Sequence, residues 1–154
     1  MRRTESGATM VEFAILLPML ILLVFGIVDW SRYMIGQNSI NSVARESARF
    51  GSAVGDNGSG TPLYADCTGI RDAGYVAAHT IRINRADITV AYDDGAGTSI
   101  GTCPDGGAFD PALLDEGDRI IVTVSAPFPF VTPLIGGFFG PTTLTSSDKR
   151  TIFK

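Results

Sequence analysis

The chain has 154 residues, of which 45% are hydrophobic and 18% are charged, and its formal net charge is -4. This length allows one compact domain and an anchor, but it is too short for two ordinary domains. The acidic balance, with no basic cluster longer than Arg2-Arg3, argues against binding to nucleic acid or anionic lipid through a basic face.

An uncharged apolar run covers Phe13–Val28 and has an acidic residue at each end. As a helix it would span about 24 Å at about 1.5 Å per residue, slightly less than a usual membrane span. Trp30 and Tyr33 follow as aromatics of the kind that favour membrane interfaces. A transmembrane helix over about residues 11–30 is therefore predicted, with a buried core helix as the alternative.

The residues around this run indicate how the predicted helix is oriented in the membrane. Arg2 and Arg3, with the free amino terminus, favour a cytoplasmic amino-terminal end, so the rest of the chain is expected to be exported. The sequence DWSRYM after the run is unlike the small-residue cleavage site of a secretory signal. The helix is therefore expected to be retained.

Helical character continues from Val28 to Phe50, which predicts one helix of about forty residues with a membrane half and an amphipathic half. Residues near one face of the second half are Trp30, Tyr33, Gln37, Ile40, Ala44 and Ala48. Pro18 predicts a kink or local unwinding in the apolar half, because proline removes a backbone hydrogen bond. Small residues on the second half predict a docking surface, within the chain or between subunits: Ser39, Ser42, Ala44, Ser47 and Ala48.

Glu12 is an acid at the edge of the apolar run. A carboxylate at the bilayer centre costs about 3 kcal/mol, and one at the edge costs less but still normally needs a partner. No Lys or Arg lies within one helical turn of it. Cleavage after Gly7 would place a new amino terminus at Ala8, four positions earlier and on the same helix face.

The pattern of Gly7, four residues and then Glu12-Phe13 before an apolar helix resembles the type IVb prepilin processing signal of the Tad/Flp pilus system. The longer stretch from Gly7 to Ser52 resembles the amino-terminal domain of the TadE-like family of minor pilins and pseudopilins. The shared motifs include Pro18, the Asp29-Trp30 pair and the segment Ala44–Arg49, in which Ser47 replaces the glycine usual in the family.

The resemblance implies cleavage between Gly7 and Ala8 by a prepilin peptidase, and a role for Glu12 and Phe13 in membrane extraction or subunit docking. It implies a minor pilin or pseudopilin in Tad/Flp pilus assembly that supports adhesion and biofilm formation. The implied partners are other Tad pilins and pseudopilins, the inner-membrane assembly platform and the lipid bilayer. The implied location is the inner membrane, single-pass with the carboxy-terminal domain exported, or the extracellular pilus. The alternative is an uncleaved single-pass anchor that presents an exported binding domain to a partner in the cell envelope.

A turn-rich segment after Phe50 is predicted to end the long helix. The spacing predicts a second, short helix over Ile70–Ile83. Alternating apolar residues predict strands over Ala86–Tyr92 and Asp118–Phe128, and a weaker pattern predicts another over Thr142–Phe153.

These elements predict an α+β fold, with a small antiparallel sheet of about three strands packed on the soluble half of the long helix. The predicted division of the chain is a leader at 1–7, the TadE-like helix at 8–52 and an exported α+β domain at 53–154.

Cys67 and Cys103 are the two cysteines, and their spacing does not match a metal site. In an exported domain they would form a disulfide that stabilises the fold by about 4 kcal/mol, and two free thiols are the alternative.

Few residues suggest chemistry, so we expect a protein that is not an enzyme and has no cofactor. The acidic residues of the glycine-rich segment, Asp93, Asp94, Asp105 and Asp110, offer oxygens for calcium but lack the EF-hand spacing, and solvated turns are the simpler interpretation. His79, the single histidine, has no Cys or Ser arrangement near it and predicts a packing or surface role.

The segment from Ala126 to Pro141 is apolar but interrupted by prolines and glycines, so it is not regular structure throughout. Its large side chains are Phe128, Phe130, Leu134, Ile135, Phe138 and Phe139. They are expected to be buried against the helix, or else to form an apolar patch that faces a partner or the membrane.

Overall fold

The computed structural model describes residues 5–132, 136–137 and 140–154, and its fold is α+β. Helix α1 covers Glu5–Gly51 and helix α2 covers Cys67–Ala77. Four strands follow: β1 (Ile88–Asp93), β2 (Ser99–Thr102), β3 (Arg119–Phe128) and β4 (Thr142–Thr151). The predicted fold class, with a long amino-terminal helix, a short second helix and an antiparallel sheet, is confirmed.

The chain divides into two compact units, and α1 contributes to both. The amino-terminal unit contains α1 up to Met34 together with residues of Pro129–Thr142. The sheet unit contains Ile35–Phe128 and Thr143–Lys154.

The sheet has the strand order β2-β1-β3-β4. Ile88, Val90 and Tyr92 of β1 are buried and pair in antiparallel register with Val124, Val122 and Ile120 of β3. Because successive side chains of a strand point to opposite faces, this alternation gives the sheet one apolar face. The predicted period-two pattern is confirmed for both strands.

The second half of α1 and helix α2 belong to the core of the sheet unit. The fully buried side chains of this core include Ile40, Val43, Ile70, Leu114, Leu144 and Ile152. Glycines allow close approach: a Cβ at Gly36 would lie 2.8 Å from Leu144 Cδ1, and one at Gly51 would overlap Ile120. The sheet side chains therefore pack directly on the α1 backbone at these positions.

Helix α2 begins and ends earlier than Ile70–Ile83. It begins at Cys67 because the Asp66 carboxylate accepts a hydrogen bond from the Gly69 N–H at 2.9 Å, which is an N-cap. It ends at Ala77, and the chain then continues without regular structure to Ile83, which is buried. The β-branched residues that follow the helix favour this extended course over a further turn.

Strand β2 was not predicted, so four strands replace the expected three. It lies in the glycine-rich segment, and Gly101 pairs with Tyr92 of β1. Its side chains are exposed or half-buried, so it lacks the alternation that marks β1 and β3. Strand β1 begins at Ile88 instead of Ala86, because Arg85–Asp87 form a 3-10 turn. The weakly predicted carboxy-terminal strand is confirmed as β4.

Candidate functional site on the amino-terminal helix

The residues predicted for processing and assembly lie in the first turns of α1. Gly7, Ala8, Glu12 and Phe13 are all helical and all exposed. Among the described residues, no cation forms an ion pair with the Glu12 carboxylate. The role of Glu12 in processing and assembly stays a prediction.

The apolar part of α1 is exposed around its whole circumference. Phe13, Met19 and Phe25 are 60%, 68% and 45% exposed, and at about 3.6 residues per turn they lie on three different faces of the helix. None of the residues that the structure describes buries this part of the helix. A helix that is apolar on every face is suited to lipid, and this one is long enough to cross a membrane.

Pro18 lies inside α1, and the backbone is assigned as helical on both sides of it. Local unwinding is therefore not observed. The alternative, a kink, stays a prediction.

Asp29 follows the apolar run directly, and its side chain is 97% buried. Its carboxylate accepts hydrogen bonds from the backbone N–H of Val131 and of Thr132, each at 3.0 Å. Arg32 donates to the same carboxylate at 3.4 Å and to the carbonyl of Pro129 at 3.3 Å. Asp29 and Arg32 together hold a segment that is about 100 residues away in sequence.

Two aromatic side chains lie beside this arrangement. The rings of Trp30 and Tyr33 are stacked, with centroids 6.0 Å apart, and Trp30 is 63% exposed. Because aromatic residues of this kind favour the boundary between lipid and water, they mark where α1 would leave a bilayer.

The segment Ala44–Arg49 separates into a packing face and a charged face. Ala44, Ser47 and Ala48 are buried in the sheet unit, and a Cβ at Gly74 of α2 would overlap Ser47 Oγ. Glu46 and Arg49 form an exposed ion pair on the other face. The small residues of this half therefore support packing within the chain.

Cys67 and Cys103 are joined in a disulfide, with Cα atoms 5.7 Å apart. The buried Arg71 donates to the carbonyl oxygens of Ile88 and Cys103 at 3.1 and 3.2 Å. The Tyr92 hydroxyl donates to the carbonyl of Tyr64 at 2.7 Å, and burial raises the pKa of this phenol. The disulfide therefore connects the start of α2 to the end of β2 through a packed, hydrogen-bonded region.

The acids considered for calcium are engaged locally. Asp93 accepts two hydrogen bonds from Arg119, at 2.7 and 2.8 Å. Asp94 accepts from three backbone N–H groups of its own turn, and Asp110 caps a 3-10 turn. Asp105 is exposed. Within the described residues, no three His, Cys, Asp or Glu side chains form a group suited to a metal ion.

His79 is exposed and lies beyond the end of α2 instead of inside a helix. Of the large side chains in the apolar segment, Phe128 is buried and Phe130 is half-buried. Leu134, Ile135, Phe138 and Phe139 lie outside the described residues.

Comparison with protein families gives one match, to the TadE-like proteins, over residues 7–49. Residues 7–49 are thus similar to this family. The match begins at the predicted cleavage glycine and ends two residues before the end of α1, so it includes Glu12, the Asp29-Trp30 pair and the small-residue packing face. The suspected resemblance is thereby confirmed, and it associates the chain with the Tad pilus system in general. No curated protein and no solved structure matches the chain.

The role of Asp29 was missed by sequence reasoning. The Asp29-Trp30 pair was noticed as a family motif, but the groups that Asp29 binds are 102 and 103 positions away. No local pattern indicates such a partner.

Proposed function

We propose that the protein is a minor pilin or pseudopilin that acts in assembly of a Tad/Flp-type pilus, and through it in adhesion and biofilm formation. The observation that supports this most strongly is the TadE-like match on a helix whose first half is apolar and exposed. Among the described residues, no cation forms an ion pair with Glu12 of this helix. The protein acts by assembly and not as an enzyme.

In this proposal a prepilin peptidase cuts between Gly7 and Ala8 on the cytoplasmic side of the inner membrane. The new amine at Ala8 is one helical turn from Glu12 in its own chain, and it can also approach Glu12 of an adjacent subunit. Pairing between subunits relieves a desolvated charge and sets the axial register of the two helices. The other Tad pilins and the assembly platform provide the neighbouring helices.

The first experiment tests processing. The protein is extracted from the membranes of a host that has the matching peptidase, and its intact mass is measured. A chain that begins at Ala8 is expected. An intact amino terminus in that host contradicts the processing step and favours the uncleaved anchor.

The second experiment tests the role of the Glu12 charge. Glu12→Gln keeps the size of the side chain and removes its charge, so it should abolish pilus assembly while membrane insertion stays normal. Glu116→Ala removes an acid from an exposed turn and is the matched control. Normal pili in the Glu12→Gln strain would count against assembly through this residue.

A further inference from the structure

Residues Pro129–Thr132, which we call the exit loop, are held at the end of the apolar run of α1. The run ends at Val28, and Asp29 accepts the N–H groups of Val131 and Thr132, each at 3.0 Å. A hydrogen bond of this length fixes the loop backbone beside the helix turn that contains Asp29. If α1 spans a bilayer, the exit loop is therefore at the level where the helix leaves it.

Four backbone polar groups of the exit loop have hydrogen-bond partners within the amino-terminal unit, and two of them are the Val131 and Thr132 N–H groups that Asp29 accepts. Pro129 has no N–H, and its carbonyl accepts from Arg32 at 3.3 Å. The carbonyl of Thr132 accepts from the Gly136 N–H at 3.0 Å. Non-helical backbone enters a water-poor environment only when its N–H and C=O groups have partners, and these four groups of the exit loop have them, which suits the interfacial region better than the hydrocarbon core.

The exit loop also presents apolar surface. Pro129 is exposed, and the Val131 side chain is 54% exposed although its N–H is bound to a buried carboxylate. Trp30, next to Asp29, is 63% exposed. A valine and a tryptophan at the same level of one helix end form a surface that lipid covers favourably.

We infer that the exit loop is a second membrane contact, in which Val131 inserts into the interfacial region of the leaflet where α1 leaves the bilayer. The occupant of this surface is lipid, because the hydrogen bonds to Asp29 hold the loop directly after the apolar run of α1, whose side chains are exposed. Asp29 is the positioning residue, and its charge is balanced by Arg32 and two N–H donors. The inference rests on the membrane anchor of the proposed function.

The test uses tryptophan fluorescence of the full chain in phosphatidylcholine vesicles. Trp30, the single tryptophan, is the reference for the helix exit. The Trp30→Phe/Val131→Trp double variant places the single tryptophan of the chain in the exit loop. Vesicles brominated high or low in the acyl chains quench a fluorophore according to its depth.

We expect the fluorophore at position 131 to be quenched about as strongly as Trp30, and more by the shallow bromines than by the deep ones. Adding Asp29→Ala removes both loop hydrogen bonds, so quenching at position 131 should fall at least about twofold. Glu46→Ala removes an acid further along α1 and should leave the quenching unchanged.

The possible outcomes distinguish the exit-loop contact with lipid from the membrane anchor formed by α1. Quenching of Trp30 without quenching at position 131 overturns the exit-loop contact and leaves the anchor in place, and it indicates that the loop faces water or protein. Absence of quenching at both positions overturns the anchor and the contact together. Quenching at position 131 that is unaffected by Asp29→Ala overturns the positioning role of Asp29.

Discussion

Helix α1 has two halves with opposite exposure. Val24, in the first half, is 51% exposed, whereas Val43, in the second, is fully buried. Both belong to one continuous helix, so the backbone does not account for the difference. The second half is covered by α2 and the sheet. The apolar first half is not buried by any part of the chain that the structure describes, as expected for a segment suited to lipid.

The halves also differ in what packs against their small residues. In the second half, Ala44, Ser47 and Ala48 allow other elements to approach the helix closely. In the first half, a Cβ at Gly26 would meet nothing within 4 Å. One helix therefore carries a specific packing surface at one end and a non-specific apolar surface at the other.

The largest expected effect comes from placing an acid in each half. Val43→Asp buries an unpaired charge and should lower the free energy of unfolding of the sheet unit by more than about 4 kcal/mol. Val24→Asp should change that quantity by less than about 0.5 kcal/mol, while costing about 3 kcal/mol in membrane insertion. Denaturation in detergent micelles, followed by hydrogen exchange in β1 and β3, measures the first quantity. Equal sensitivity at the two positions would contradict the comparison.

Removal of the disulfide should destabilise the sheet unit without unfolding the first half of α1. The Cys67→Ala/Cys103→Ala variant should lose about 4 kcal/mol in the sheet unit, because the unfolded chain is no longer constrained. The first half of α1 lies outside the closed loop and should stay helical in micelles. Far-ultraviolet circular dichroism at high denaturant measures this residual helix. A variant as stable as the parent would show that the cross-link does not contribute to the fold.

A pair of glycine substitutions tests the same difference between the halves, with a smaller expected loss of stability. Gly74→Ala should destabilise the sheet unit by about 1–3 kcal/mol, because its Cβ overlaps Ser47 Oγ. Gly26→Ala is the matched control and should be neutral or slightly favourable, since alanine has the higher helix propensity. Ser47→Gly in the Gly74→Ala background should restore part of the loss. If Ser47→Gly restores no stability, overlap with Ser47 is not the cause of the loss.

The smallest expected effect is on the stability of the sheet unit at low pH. Hydrogen bonds from Arg119 hold the pKa of Asp93 below its usual value. The ion pair therefore stabilises the sheet unit fully above about pH 4, and its contribution is lost as the pH falls through the lowered pKa. Asp93→Asn should lack this part of the acid dependence, while a first-half change such as Val24→Ala should retain it. Unfolding curves measured at a series of pH values below about 4 test the prediction.

Sequence patterns were most informative where a single environment extends over many residues. The apolar run and its continuation to Phe50 predict α1, and alternation predicts β1 and β3, because burial on one face repeats with the period of the element. Strand β2 was missed since its side chains are not buried alternately, and backbone pairing with β1 is what makes it a strand. The end of α2 was placed too late because Ile83 reaches the core as an extended residue.

The candidate site likewise has features that local sequence predicts and features that only the fold decides. Gly7, Ala8, Glu12 and Phe13 are implied by the resemblance of a short segment to a prepilin processing signal, and all four are exposed in α1. Their roles stay predictions. The sequence by itself determined the TadE-like helix, its apolar half and the acid that begins it, because these properties are local. Only the tertiary structure decided that Asp29 holds the exit loop and that Ser47 packs against Gly74, because each contact joins groups far apart in the chain that meet only when the fold closes.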